Sequence, residues 1–483
     1  MSSIFGALVP PVPLVPVSDL GPVHFIAAGG AGMAPLAELY AGRGVRVSGS
    51  DRSDSTNLAR LRDRGVTTFV GHAAEQVGDA ETVVVSSAIA ADNPEVVVAR
   101  ERGLRIWHRS AALGALMEPA AGAERRVGIA VGGTHGKTTT SGMLAHIFWS
   151  LGMDPGFVVG APLATTGEAA ADGTGPFVVE ADESDGSFLQ YPAELRVITN
   201  VEADHLDNWK TPEAYAEGFV EFAEKASCVV INIADAGAAR IAATVVEQKE
   251  SSTRIVTVGP GGDWWLEDEC LEGFGSRATL HGPAGPIRLA LQVPGLHNLH
   301  NAAVALVTAV THGADATRAA EALGGFRGTA RRFTPHGEVG GVRVFDDYAH
   351  HPTELDVTLR AARVGVGDGR VVACFQPHLY SRTRDFAEEF GEALALADEC
   401  LITDVFAARE EPIPEVDASL LVDSCRRAGG VARWVPYDEI VASVTEMVGP
   451  GDVVLTLGAG DITQMAPRIV EGLRRTRESH GRS

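Results

Sequence analysis

Short apolar runs alternate with longer amphipathic stretches through most of this 483-residue chain. The run VHFIAA (Val23–Ala28) ends in a GGAG turn and leads into a helical pattern through LAELYAGRG. VRVSGSD follows, ending in Asp51, and TVVVSSA (Thr82–Ala88) supplies a later strand. Further on, VGIAV (Val127–Val131), FVVEADESD and RVITNVEADHLD each read as a short strand that ends in polar residues. From near Gly328 the runs VRVFDDYAHH, RVVACFQPH, ECLITDVF and DVVLTLGAG are again separated by helical stretches. Strands alternating with helices predict parallel, doubly wound sheets and so an α/β fold. Between Ala226 and Pro294 the pattern is less regular and predicts no arrangement.

At about 150 residues per domain, the length suggests roughly three domains. A boundary falls in EPAAGAERR (Glu118–Arg126), which is rich in Pro, Gly, Ala and charge. Apolar content of 45% and 55 glycines fit an α/β protein with many tight strand-to-helix turns. The formal charge of -23 argues against general nucleic-acid or anionic-membrane binding, so an anionic substrate needs local basic residues. Cys228, Cys270, Cys374, Cys400 and Cys425 are scattered without a C-x-x-C. That spacing predicts reduced, cytoplasmic thiols rather than a disulfide frame or a zinc site. The leading PPVPLVPV is proline-broken and has no basic region, which predicts a flexible lead-in rather than a signal peptide. No run reaches membrane-spanning length.

Candidate chemistry centres on GGTHGKTTT, Gly132 to Thr140, between the run Val127–Val131 and the helical pattern SGMLAHIFWSLG. Strand, glycine turn, Lys-Thr and helix make a phosphate cradle, because backbone N–H groups and the helix N-terminus face an anion. Lys137 adds a mobile positive charge, and the Thr138 hydroxyl suits the Mg²⁺ that travels with a nucleoside triphosphate. The spacing is a shortened G-T-x-G-K-T, since Val131 stands where a longer loop has its first glycine. Downstream, Glu180, Asp182, Glu183 and Asp185 crowd one strand end, and Glu202, Asp204, His205 and Asp207 the next. So much negative charge beside a phosphate calls for a cation, and carboxylate and imidazole groups suit Mg²⁺.

Other constellations leave more open. Gly29, Gly30 and Gly32 follow a strand, and Asp51 ends the next, where an acidic residue takes ribose hydroxyls. UDP, NAD or no ligand all fit that turn, although a second nucleotide loop disfavours a dehydrogenase. HNLHNAA (His297–Ala303) offers histidines and amides, which suit a purine or a helix cap better than zinc because no carboxylate or cysteine completes a set nearby. GTARRF places Arg331 and Arg332 after a glycine turn, where a planar fork suits a γ-phosphate and a surface ion pair is the alternative. DDYAHHPTE (Asp346–Glu354) is denser in functional groups than a routine loop.

With HFIAAGGAGM, SGSD, VVVSSAI, GTHGKTTT, VEADESDGSFL, TNVEADHLD, HNLHNAA, GTARRF, DDYAHHPTE, QPHLYSRTRDF and LGAGDI in order from about residue 22 to 463, the chain resembles the Mur ligase family of peptidoglycan synthesis. Within it, the resemblance is to members that join L-alanine to UDP-N-acetylmuramate. It implies a Rossmann-like UDP-binding domain over 20–122, a central P-loop ATP-binding domain over 123–328 and a C-terminal Rossmann-like domain over 329–483. The implied enzyme is a cytoplasmic, ATP-dependent carbon–nitrogen ligase, monomer or homodimer, working through an acyl phosphate with two Mg²⁺ ions. Its implied substrates are UDP-N-acetylmuramate, L-alanine and ATP.

By the same resemblance, Gly133, Thr134, His135, Gly136, Lys137, Thr138 and Thr139 cradle ATP. Lys137, Glu180 and His205 carry catalysis, and Thr138, Glu180 and His205 ligate metal. Asn298 and Asn301 meet the adenine region, Arg332 the phosphates, and Asp347 the ribose side. Gly30, Gly32, Ser50, Asp51, His72 and Ser87 hold UDP, while Tyr348, His350 and Arg382 position alanine. The chain departs from the family pattern at Ala27-Ala28-Gly29, where relatives commonly have Gly-Ile-Gly. It departs again at Leu379, where many carry Arg, leaving Arg382 to pair the alanine carboxylate.

Overall fold

The computed structural model describes residues 4–119, 125–248, 252–283, 285–408 and 410–480. The chain divides into two compact units. One comprises Met1–Leu266, Leu280–Ile287 and Asn301–Ala322; the other comprises Glu267–Thr279, Arg288–His300 and Leu323–Ser483.

In the first unit, Val23–Ile26, Val47–Asp51, Thr67–Val70, Thr82–Val85 and Arg105–His108 form a parallel sheet in the spatial order third, second, first, fourth, fifth. The order reverses at Val23–Ile26, so the GGAG turn leaves the sheet at a switch point, where open α/β sheets place ligands. A second sheet runs Arg254–Val258, Cys228–Asn232, Leu195–Ile198, Gly128–Gly132, Phe177–Glu180, Gly156–Val158, Ala170–Ala171. Only its last pair is antiparallel. Its middle strands are apolar on both faces, as strands covered by helices on each side must be.

Side-chain caps fix several helix starts. Ser55 accepts from Leu58 N, Asp235 from Ala238 N, and Thr211 from Ala214 N ahead of Pro212. Beneath the second sheet, Phe188 stacks on Phe222 at 4.9 Å and meets Trp209 edge-on at 6.2 Å. Burying each ring stabilises the fold by about 2–3 kcal/mol. Arg196, buried over Phe222, donates to the carbonyls of Phe222 (2.6 Å) and Tyr191 (2.8 Å) and so joins its strand to the helix Pro212–Glu224.

The second unit carries six strands in the order Thr334–Val339, Val342–Asp347, Val453–Leu457, Val371–Phe375, Glu399–Ile402, Ala432–Trp434. They are parallel apart from the first pair, a hairpin closed by Gly340 and Gly341. A Rossmann-like first sheet, a central sheet bearing the phosphate loop and a parallel C-terminal sheet make up the expected α/β class. The stretch without a sequence pattern supplies Cys228–Asn232 and Arg254–Val258 of the second sheet and the three strands of a small sheet, Trp265–Glu272, Gly275–His281 and Ile287–Leu291.

One expectation is overturned. The proline-broken leader is a strap rather than a flexible lead-in. Val9 N donates to Asp185 O at 2.7 Å. The Gln190 amide clasps Val12 both ways, accepting from its N–H at 2.7 Å and donating to its carbonyl at 2.9 Å. Proline carries no N–H, so the segment cannot pair along its length and is held at these few points instead.

Candidate active site

The phosphate loop joins Gly128–Gly132 to the helix Lys137–Ser150. Gly133 has φ +138°, and a Cβ there would lie 2.0 Å from Thr199 Oγ1. Gly136 has φ +79°, and its Cβ would lie 2.7 Å from Asn301 Oδ1. Both positions therefore require glycine. The neighbouring strand end holds the loop: His135 N donates to Asn200 Oδ1 (2.7 Å), and Thr199 Oγ1 donates to His135 O (2.6 Å). Thr134 Oγ1 meets Glu202 O and Tyr215 Oη, each at 2.9 Å. Thr139 is buried in the first turn of the helix.

Lys137 Nζ curls over the loop, donating to Gly133 O (2.6 Å) and Thr134 O (3.0 Å), and pairs with Glu183 at 2.7 Å. Burial alone would lower its pKa, but the carboxylates of Glu183, Asp182 and Glu180 raise it, so the ammonium is secure. Burial pushes Glu183 up to about 7 against the pull of Lys137. Burial also acts to raise Asp182, but Arg109, the Ser184 hydroxyl and Lys137 hold it well below the usual carboxylate range. Thr138 Oγ1 donates to Glu180 at 2.9 Å, and Gly160 N donates to the other oxygen at 2.6 Å. His205 Nε2 lies 3.8 Å from Glu183 and 3.6 Å from Asp204. The carboxylates of Glu180, Asp182 and Glu183 and the Thr138 hydroxyl are hard oxygen donors, so the donor set fits Mg²⁺.

In the first sheet, Asp51 Oδ2 accepts from Gly29 N at 2.9 Å, which locks the turn to the next strand. Gly30 N closes the turn onto Ala27 O at 3.0 Å, and Gly32 stands beside Arg109. Ser50 and His72 converge on the buried Glu95: Ser50 Oγ donates to it at 2.8 Å, and His72 Nδ1 lies 2.7 Å away. Ser87 departs from this group. Its hydroxyl donates to Asp185 at 2.5 Å and lies 3.1 Å from His108. Ala27 has φ +63°, so this alanine sits in a conformation favouring glycine.

In the second unit, Arg332 and His350 gather around Glu354, with the Tyr348 ring against both. Arg332 Nη1 is 3.6 Å from Glu354 and its guanidinium 5.3 Å from the Tyr348 ring. His350 Nδ1 lies 3.2 Å from Glu354 and 3.0 Å from Tyr348 O. Arg331 also lies over Tyr348 and donates to Gly458 O at 2.7 Å. Asp347 accepts from Phe333 N (2.7 Å) and Ala349 N (2.8 Å); burial pushes it up to about 6 despite Arg332 and those two donors. Asn298 Nδ2 donates to Pro294 O at 2.7 Å. Arg382 is half-buried on the short helix Tyr380–Asp385, which opens at Leu379 with φ +70°. Thr199, Asn200, Glu95 and Glu354 were not singled out from the sequence. Thr199 and Asn200 lie inside the TNVEADHLD run and Glu354 ends DDYAHHPTE, so those runs carried the signal for all three.

A phosphate loop on a parallel sheet, its lysine ringed by carboxylates, defines a nucleotide-dependent phosphoryl-transfer enzyme of the α/β class. The comparisons narrow that class. Residues 22–120 match the model for the Mur ligase family, catalytic domain; 131–309 match the Mur ligase middle domain; 331–460 match the Mur ligase, glutamate ligase domain. The UDP-N-acetylmuramate–L-alanine ligase of Cutibacterium acnes is 52% identical over 95% of this chain and 98% of its own. The crystal structure of UDP-N-acetylmuramate-alanine ligase from Thermotoga maritima superposes with a TM-score of 0.78 at 29% identity, covering 95% of this chain and 99% of that one. A murein peptide ligase from Psychrobacter arcticus gives 0.68 at 26%, covering 93% and 98%. The chain belongs to the Mur ligase family.

Proposed function

We propose that this protein joins L-alanine to the lactyl carboxylate of UDP-N-acetylmuramate at the expense of ATP, in peptidoglycan precursor synthesis. The carrying observation is Lys137, fixed over the loop and ringed by Glu180, Asp182 and Glu183. The substrate carboxylate attacks the γ-phosphate, releasing ADP and leaving an acyl phosphate. The amine of alanine then attacks the acyl carbon, and the tetrahedral intermediate collapses to amide and phosphate. Such chemistry depends on positioning and charge neutralisation.

In this reading, residues 133–139 cradle ATP and Lys137 steadies the transferring group. Thr138, Glu180 and His205 would hold Mg²⁺, which neutralises phosphate charge when bound. Asn298 and Asn301 serve the adenine, Arg332 the phosphates and Asp347 the ribose. Tyr348, His350 and Arg382 orient alanine. Gly30, Gly32, Ser50, Asp51, His72 and Ser87 serve UDP. Domain boundaries fall at 122/123 and 328/329. The protein is cytoplasmic, as a monomer or homodimer; no helix among the described residues is long and apolar enough to cross a membrane.

The test is phosphate release from ATP and Mg²⁺ with UDP-N-acetylmuramate, adding single amino acids or the L-alanyl tripeptide in turn. A strict requirement for L-alanine supports the reading. Dependence on the tripeptide would move the protein to peptide recycling.

A further inference from the structure

The residues assigned to the sugar nucleotide, Gly30, Gly32, Ser50, Asp51, His72 and Ser87, include no fixed cation, yet the ligand carries a diphosphate. The chain is itself strongly acidic, and Asp51 places a carboxylate at the turn. A phosphate anion held in such a field needs a positive partner.

Arg109 is placed to be that partner. It is the first residue of the helix Arg109–Met117, directly after the edge strand Arg105–His108. Its Nη1 lies 3.5 Å from the point that a Cβ on Gly32 would occupy, so the guanidinium stands over the glycine turn. Its Nη2 donates to Asp182 at 2.6 Å, at the end of Phe177–Glu180 in the second sheet. The pair is partly buried, with side-chain exposures of 28% and 34%, so water reaches the guanidinium only in part. One edge of the planar fork is therefore anchored, and the other faces the turn. A guanidinium offers five donors and can hold a carboxylate and a phosphate at once.

We propose that Arg109 binds the diphosphate of the sugar nucleotide and that Asp182 positions it. The proposal rests on the ligand being a UDP-sugar. Because Asp182 follows the strand end that carries Glu180 and precedes Glu183, the sugar-nucleotide site is completed by the segment that also lines the phosphate loop.

Calorimetric titration of the full-length protein with UDP and with UMP tests this, using Arg109→Ala and Arg109→Lys. The preference for UDP over UMP should fall about tenfold in Arg109→Ala, the loss of one charge-assisted contact, and recover in part in Arg109→Lys. UMP binding reports that the variants are folded. If Arg109→Ala does not fold, Arg109→Lys should still raise the KM for UDP-N-acetylmuramate while leaving those for ATP and alanine unchanged. An unchanged UDP-over-UMP preference in a folded variant, with both ligands weakened equally or neither weakened, overturns the assignment of Arg109 alone. Failure of the unmodified protein to bind UDP overturns the substrate reading and this proposal together.

Discussion

Lys137 and Glu183 form a 2.7 Å ion pair inside the phosphate loop, with the Glu183 side chain almost wholly buried. The pair holds the ammonium over the carbonyls of Gly133 and Thr134, so the charge is pre-positioned by the protein before any phosphate arrives.

Replacing Lys137 by Ala should therefore cut turnover by about a thousandfold or more, the scale of losing a preorganised charge at a transferring phosphoryl group. UDP-sugar binding should largely persist, because Asp51 ends a strand of a different sheet and Gly30 and His72 lie in the turns that follow two of its other strands. Phosphate release and calorimetry on the same preparation separate the two effects. Loss of sugar-nucleotide binding would contradict the division of labour between the sheets.

Ala27→Gly should stabilise the protein by about 1 kcal/mol, since it relieves a left-handed alanine at the cost of some chain entropy. Scanning calorimetry should show a rise in Tm of roughly 2 °C. A fall would mean that the methyl makes packing contacts worth more than the strain.

Asp347 gives a pH dependence with a defined sign. Its pKa is raised to about 6 in the fold from an ordinary 3.8, so its stabilising contribution is complete below about 3.8 and is lost as pH rises through about 6. The stability of the unmodified protein relative to Asp347→Asn should decline over that window by on the order of 3 kcal/mol. Paired thermal melts from pH 4 to pH 7 measure it, and parallel curves would refute the raised pKa.

Arg382→Ala should raise the KM for alanine about tenfold or more, with those for ATP and the sugar nucleotide nearly unchanged. Initial-rate kinetics with each substrate varied decides the matter. An unaltered alanine KM would remove Arg382 from the amino-acid site.

What could be read from the chain followed sequence proximity. The loop 133–139 and the group Asp347, Tyr348 and His350 lie in contiguous runs whose chemistry shows in the letters themselves. Arg109 could not be seen that way: it follows an ordinary strand, and its meaning comes from the helix that sets it against Asp182, 73 residues away. Trp265–Glu272 escaped because no residue of WLEDECLE is buried, leaving no alternation of buried and solvated positions to detect. The leader was misjudged for a similar reason, since a few hydrogen bonds to Asp185 and Gln190 leave no periodic trace.

That leader has a consequence for how the protein can change over generations. Val9 is tied to Asp185 and Val12 to Gln190, so the proline-rich strap lies along the segment that follows Asp182 and Glu183. Sequence drift in an extended segment outside the sheets is ordinarily cheap. Here a proline at Val9 or Val12 would remove the N–H that donates to Asp185 O or to Gln190 Oε1, and so loosen the strap from the segment that follows Asp182 and Glu183.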